Sequence, residues 1–313
     1  MRKRKNKQIY LALILVILIA LIGIQQAGFF SQTITNANTI NSANTTSTPK
    51  TNMNSGTQLE KQALDQNVKI HFIDVGQGDS IWIETGQENI LVDAGNTGKG
   101  YVVADYLKQH NAITATYLIG THEDADHIGG LDEVILSGIE YTTYLSPQQD
   151  CNTKACRDLD LLIIGKKQKI KRGELLHAKI PIYGLNPIEP LEFEEKNNNA
   201  IVLLVNIQDI NVLLTSDCEK ECEESIVNSG LLNQVQIYKV GHHGSKTSSS
   251  VKLLERIQAK VGIISVGANN SYGHPHETVV NRLIEYGLKI YRTDLDGNIV
   301  LNTDGKNYTI ENN

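Results

Sequence analysis

One stretch limits what this chain can become: Thr121-His122-Glu123-Asp124-Ala125-Asp126-His127-Ile128-Gly129-Gly130. Two imidazoles and three carboxylates fall within six residues, directly after an apolar run from Tyr117 to Gly120 that reads as a buried strand. Carboxylates crowded at a strand end repel one another unless a cation neutralises them, and imidazole nitrogen mixed with carboxylate oxygen suits first-row divalent ions. A solvated acidic turn has no need of the strand before it or the Gly-Gly after it. His122, Asp124 and Asp126 alternate along an extended segment and His127 follows directly. A tight turn there aims one pair of ligands at one ion and the next pair at a second. Two ions sharing a site need a bridging oxygen. Asp217, after the apolar residues Val212, Leu213 and Leu214, is the candidate; its alternative role is to cap a helix over residues 220–229.

Two further imidazole groups follow apolar strands. Lys239-Val240-Gly241-His242-His243-Gly244-Ser245 closes one, and Asn270-Ser271-Tyr272-Gly273-His274-Pro275-His276 comes shortly after another. Gly-flanked histidines at strand ends point to roles in a site rather than in a core.

The 313 residues, 40% hydrophobic and 20% charged, allow one domain plus accessory segments. A net charge of −6 gives no overall attraction to nucleic acid or anionic membrane, so a polyanionic substrate must be handled locally. Five Arg and Lys within residues 1–7 precede an apolar run over 9–30 that is long enough to span a bilayer. The basic flank places the N-terminus in the cytoplasm and the rest outside it. A cleaved signal peptide is the competing reading, which would leave the protein secreted. Residues 31–65 are rich in Asn, Ser and Thr and read as a disordered linker with a reach of about 30 Å. Residues 66–313 are expected to fold as one domain.

Within that domain, strands are expected over 68–75, 80–84, 89–93, 201–207, 210–215, 235–240, 261–266, 289–292 and 298–302, and helices over 100–109, 220–229, 249–258 and 277–286. Gln208-Asp209 reads as a hairpin turn. Two strand-rich halves, each followed by helices, imply two packed sheets with helices outside. The four cysteines form local pairs. Cys151 with Cys156 is the preferred disulfide; Cys218 and Cys222, at i and i+4 near a helix start, are awkward for one. Zinc binding by all four thiolates is a minor alternative. The basic stretch Lys166-Lys167-Gln168-Lys169 with Lys171-Arg172 reads as a solvated loop.

From about Val68 to Asn302 the chain resembles the metallo-β-lactamase superfamily, and within it the branch that includes the extracytoplasmic domain of the competence protein ComEC. The resemblance rests on Asp74-Val75-Gly76-Gln77-Gly78-Asp79-Ser80, Val92-Asp93-Ala94-Gly95, His122-x-Asp124-x-Asp126-His127, Thr215-Ser216-Asp217, His242-His243-Gly244-Ser245 and Tyr272-Gly273-His274-Pro275, with Arg292-Thr293-Asp294 and Gly297 adding to it. It implies an α/β fold of the αββα sandwich type with a dinuclear metal site at one edge, here preceded by a transmembrane helix. His122, Asp124 and Asp217 are assigned to one ion and Asp126, His127 and Asp217 to the other. His242 and His274 complete the shells, with His243 the rival of His242. Most members of the superfamily carry His where Asp124 stands, and a further His where this chain has Asn197-Asn198-Asn199-Ala200. Oxygen in place of nitrogen makes Mn²⁺ an alternative to Zn²⁺.

The resemblance implies metal-assisted hydrolysis by a bridging hydroxide. Asp126 orients the attacking water, and His243 or Lys239 assists the leaving group or holds an anionic oxygen. Ser245 and Asn199 are candidate substrate contacts; Asp79 and Asp93 either support the ligands or hold turns. The leading expectation is a membrane-anchored extracytoplasmic phosphodiesterase or nuclease. Its alternatives are an esterase of cell-envelope phosphodiesters, of the phosphorylcholine type, and a binding module that keeps the fold without catalysis. Antibiotic hydrolysis is disfavoured by Asp124 and the missing His.

Overall fold

Short apolar runs separated by tight turns build two sheets in the computed structural model, which describes residues 67–147 and 150–312. The expected anchor and linker, residues 1–65, lie outside the described residues. Among the described residues no helix is long and apolar enough to cross a membrane.

The first half runs β1 (Val68–Phe72), β2 (Ile81–Glu84), β3 (Asn89–Val92), α1 (Gly100–Gln109), β4 (Thr114–Ile119), the single turn α2 (Ala125–Ile128), α3 (Leu131–Leu136), β5 (Glu140–Ser146), α4 (Lys154–Asp160) and β6 (Lys166–Lys169). The second runs β7 (Leu175–Leu176), β8 (Ile182–Asn186), β9 (Val202–Ile207), β10 (Ile210–Leu214), α5 (Lys220–Asn228), β11 (Ile237–Lys239), α6 (Val251–Ile257), β12 (Val261–Ile264), α7 (Glu277–Glu285), β13 (Lys289–Arg292) and the turn α8 (Thr293–Asp296). The chain then returns to the first sheet with β14 (Ile299–Thr303) and β15 (Tyr308–Asn312). The sheet orders are β15-β14-β1-β2-β3-β4-β5-β6 and β13-β12-β11-β10-β9-β8-β7. Strands β3 to β6 are parallel, as are β10 to β13.

Strand alternation explains why these runs are apolar throughout. Side chains on successive residues face opposite sides of a sheet, and here both sides are covered. Phe72, Ile83, Val92 and Ile119 meet Val205, Val212, Leu214 and Ile263 between the sheets. On the outer face of the first sheet Trp82, Leu91 and Leu118 pack on Val103 and Leu107 of α1 and on Leu131 and Val134 of α3. Leu213, Tyr238 and Ile264 do the same against Ile226 of α5, Leu253 and Ile257 of α6 and Leu283 of α7. The result is the expected α/β sandwich of two sheets between two helical layers.

Several local expectations change. The basic run at 166–169 is not a loop but β6, an edge strand paired only with β5; charged side chains suit such an edge because they discourage further strand pairing. Both local cysteine pairs are disulfides. Cys218 precedes α5 instead of lying in it, which leaves its Cα 5.6 Å from that of Cys222, within bridging range. The hairpin at Gln208-Asp209 forms as expected, with Ile207 opposite Ile210 and Gln208 at φ 56°.

The loop after β1 presses backbone to backbone on the cluster at 122–127. The Asp79 amide donates to the Asp126 carbonyl at 3.1 Å, and Gly78, at φ 135°, would place a Cβ 2.2 Å from that oxygen. Gly78→Ala is therefore expected to cost more than about 1 kcal/mol, read as a lower urea midpoint with an unchanged slope.

Candidate metal centre

The functional side chains stand at the carboxyl ends of parallel strands, on loops from both sheets. His122, Asp124, Asp126 and His127 follow β4, Asp217 follows β10, and His242 and His243 follow β11. Asp217 lies at the centre, only 2% exposed, and its two oxygens face different partners. Oδ1 is 3.1 Å from His127 Nε2 and 3.5 Å from His243 Nε2. Oδ2 is 3.6 Å from His242 Nε2 and 3.9 Å from His122 Nε2. The remaining carboxylates follow the same division: Asp126 is 3.4 Å from His243 Nε2, and Asp124 is 3.7 Å from His122 Nε2.

A second layer fixes the rings. His127 Nδ1 donates to Asp93 Oδ2 at 2.8 Å, and Asp93 also accepts the Thr121 amide at 2.9 Å and its hydroxyl at 2.6 Å. His243 Nδ1 donates to the Ser265 carbonyl at 2.8 Å and His242 Nδ1 to Glu219 at 3.0 Å. With Nδ1 so engaged, each ring presents Nε2 to the centre, as ligating histidines do. Asp79 lies 3.4 Å from His243 Nδ1 and accepts from Lys239 Nζ at 2.7 Å. The local backbone is strained to achieve this: Asp93, Ser216, His242 and His243 all take left-handed conformations, with φ between 47° and 57°. Each such residue costs on the order of 1–3 kcal/mol, a cost typical of sites where geometry serves function.

The donor set fits cations. The Nε2 atoms of His122, His127 and His243 and Oδ1 of Asp217 are buried without hydrogen-bond partners although they face one another. His122, His127 and Asp217 form one group whose ligand atoms converge, and Asp126, His127 and His243 another. Electrostatics agree. Burial works against charge on His127, but Asp217 and Asp93 outweigh it and hold the imidazole well above its usual range. The same contest, with Asp217, Asp126 and Asp79 as partners, pushes His243 up to about 10. Burial opposes ionisation of Asp217, and the imidazoles of His127 and His243 overcome it, holding the carboxyl well below its usual range. Without ions, protons on histidine balance the carboxylates.

His274 stands beside this cluster, its ring 5.6 Å from that of His242 and 6.4 Å from that of His243, with Nδ1 buried and unpartnered. Burial and the neighbouring His242, His243 and His276 lower it to about 4, so it is a neutral imidazole, the ligating form.

Residues 73–139 match the sequence profile of the Metallo-beta-lactamase superfamily. The domain belongs to that superfamily. Its curated relatives include ComE operon protein 3 of Bacillus subtilis, 30% identical over 267 residues that make up 75% of this chain and 33% of the relative. Recombination protein 2 of Haemophilus influenzae is 28% identical over 263 residues, 78% of this chain and 30% of that protein. The chain thus spans about a third of the length of these relatives. CmlA, a diiron β-hydroxylase from Streptomyces venezuelae, shares the fold at a TM-score of 0.51 and 11% identity, over 76% of this chain and 54% of its own. The metallo-β-lactamase domain here is of the competence-protein branch, and fold and donor set together are those of a metallohydrolase.

The geometry redistributes several expected roles. His242 and His243 are not rivals, since each faces a different oxygen of Asp217. His243 is 1% exposed and turned toward the carboxylates, a ligand's position and not that of an acid for a leaving group. Lys239 is fully buried, bound to Asp79 and to the Val240 carbonyl at 3.0 Å, so it has no access to substrate. Asn199 closes its own turn, accepting the Phe193 amide at 3.3 Å and donating to the Phe193 carbonyl. Ser245 holds a turn with Thr247 at 2.9 Å. Glu219, Thr121 and Ser265 were not expected; Glu219 stands two residues beyond Asp217, but nothing in the sequence shows that it faces His242.

Two measurements test this centre. Chelated protein is expected to bind two divalent ions per chain and to release protons as it does so, because His127 and His243 carry protons at neutral pH that an ion must displace. Affinity should therefore fall as pH falls, which calorimetry in buffers of different ionisation enthalpy will show. Lys239→Met strands Asp79 as a buried, uncompensated charge and is expected to cost about 3–5 kcal/mol in chemical unfolding.

Proposed function

We propose that this domain is a phosphodiesterase of the two-metal type, held outside the cytoplasm by an anchor over residues 9–30. The observation that carries the reading is the division of ligands about Asp217, one oxygen toward His122 and His242 and the other toward His127 and His243. His122, Asp124, His242 and Asp217 would hold one ion, and Asp126, His127, His243 and Asp217 the other, with His274 at the edge of both sets. Mixed imidazole and carboxylate donors suit Zn²⁺ or Mn²⁺. Bound there, such ions supply Lewis acidity and a water of lowered pKa, the chemistry suited to displacement at phosphorus.

The protein's own groups do the rest. The Asp126 side chain is 20% exposed and so reaches the mouth of the site, where its carboxylate orients the attacking water and takes its proton. Asp93 and the Ser265 carbonyl keep His127 and His243 aimed inward while substrate enters. The backbone fixed by Gly78 and Asp79 keeps the loop at 122–127 from relaxing. One relative is named for recombination, which accords with a phosphodiester of nucleic acid as the target.

The test is turnover by the purified full-length chain, chelated and then supplied with Mn²⁺ or Zn²⁺. Bis(4-nitrophenyl) phosphate and DNA are expected to be cleaved, and Asp217→Ala should lower kcat/KM by more than about a hundredfold. Protein that binds two ions and cleaves neither overturns the reading; release of 4-nitrophenol from its phosphorylcholine ester alone would move the activity to envelope substrates.

A further inference from the structure

A separate space lies beside the metal loop. It is a cavity of about 200 Å³ with His122 in one wall, Tyr144 and Ser146 of β5 in another, and Leu159 of α4 and Lys167 and Lys169 of β6 around the rest. Tyr144 is 7% exposed, and its hydroxyl, which lies against Gly120, makes no hydrogen bond among the described residues. That hydroxyl is thus free to donate to a ligand in the cavity. Burial, with Asp93 adding to it, holds that phenol above its usual range, so it is a donor.

The charges around the space are mixed, Glu123, Asp150 and Asp160 against Lys167 and Lys169, and their pairing decides what is left over. Alternation along β6 sets Lys167 and Lys169 on one face of the strand. Lys167 is engaged by Asp160, whereas Lys169 has no carboxylate partner among the described residues. Glu123, at the rim, is occupied by Lys196 and by the amides of Asn152 and Thr153 at 2.6 and 3.0 Å. Asp150 stands at the mouth as the opposing charge. The donors left without partners along its wall, the Tyr144 phenol and the exposed Lys169 ammonium, suit an oxyanion, with the exposed Asp150 the charge that opposes it.

We propose that this cavity is a subsite for a second phosphate of the substrate, flanking the phosphodiester attacked at the metal centre. The inference rests on the phosphodiester reading above and deepens it: the preferred substrate is a phosphodiester that carries another phosphate, as a chain does, rather than an isolated ester. Tyr144 and Lys169 donate to the second phosphate, with the Ser146 hydroxyl within the same wall. The sequence had offered these lysines only as solvated charge.

The test uses the full-length chain loaded with Mn²⁺ and two chromogenic esters, thymidine 5′-(4-nitrophenyl phosphate) with and without a 3′-phosphate. The 3′-phosphate is expected to lower KM about tenfold, the yield of one charge-assisted hydrogen bond. That ratio should fall toward one in Lys169→Gln and in Tyr144→Phe, and persist in Lys108→Gln on the exposed side of α1. No advantage for the 3′-phosphate in the wild type, or an advantage that survives both substitutions, overturns the subsite. Calorimetric binding of thymidine 3′,5′-bisphosphate against the 5′-monophosphate makes the same comparison without turnover. If neither ester is cleaved, the phosphodiester reading fails by itself, and a bisphosphate that binds no more tightly than the monophosphate still overturns the subsite. Glycerol 1,3-bisphosphate binding as tightly as the nucleotide would identify a polyol phosphate chain as the source, and weaker binding a nucleotide chain; both support a second phosphate.

Discussion

Everything at the centre of this molecule answers to the Asp217 carboxylate. It is buried, it is ionised, and two strands' worth of imidazole converge on it from β4 and from β11. A lone carboxylate could not stay charged at that depth, and four histidine rings could not share so small a volume without an anion among them. Each makes the other tolerable. Because Asp217 has only two oxygens, and each already faces two rings, the cluster is divided into halves before any ion enters.

The surrounding structure spends conformational strain to hold that division. Asp93, Ser216, His242 and His243 sit in left-handed backbone conformations, three of them next to or within the ligand set. Glycines on both sides of the histidine pair let the chain enter and leave the strained turn. Asp93, Glu219 and the Ser265 carbonyl then remove the remaining freedom by fixing ring orientation from behind. Strain in the backbone and order in the outer hydrogen bonds are two parts of one device, since neither would place the Nε2 atoms without the other.

Much of this is legible in the sequence. The alternation of His122, Asp124 and Asp126 gave the metal loop, and the apolar run before Asp217 gave its place at a strand end, because both signals are local. The α1 helix was bounded correctly since its stripe of Val103, Ala104 and Leu107 has no competing period. What local pattern could not show was which polar group faces which. Lys239, Asn199 and Ser245 carry chemistry suited to substrate, yet tertiary packing turns each inward to a partner far away or across a turn. Glu219 and Ser265 matter only through histidines distant in sequence. The lysines of β6 read as a loop because a strand of polar residues has no hydrophobic period, and only its pairing with β5 reveals it.

The order of the first sheet has a consequence for how the chain matures. Strand β1 lies between β2, its neighbour in sequence, and β14, more than two hundred residues later. While the polypeptide is being made, one side of β1 is therefore bare, and Val68, Ile70 and Phe72 face a core that still lacks Ile299 and Leu301. Contacts of such separation form slowly, because a long loop must close before they repay its entropy. The nascent first half waits, with an open edge, for the last strands to emerge. Until β14 arrives, that edge is open to pairing with any other strand.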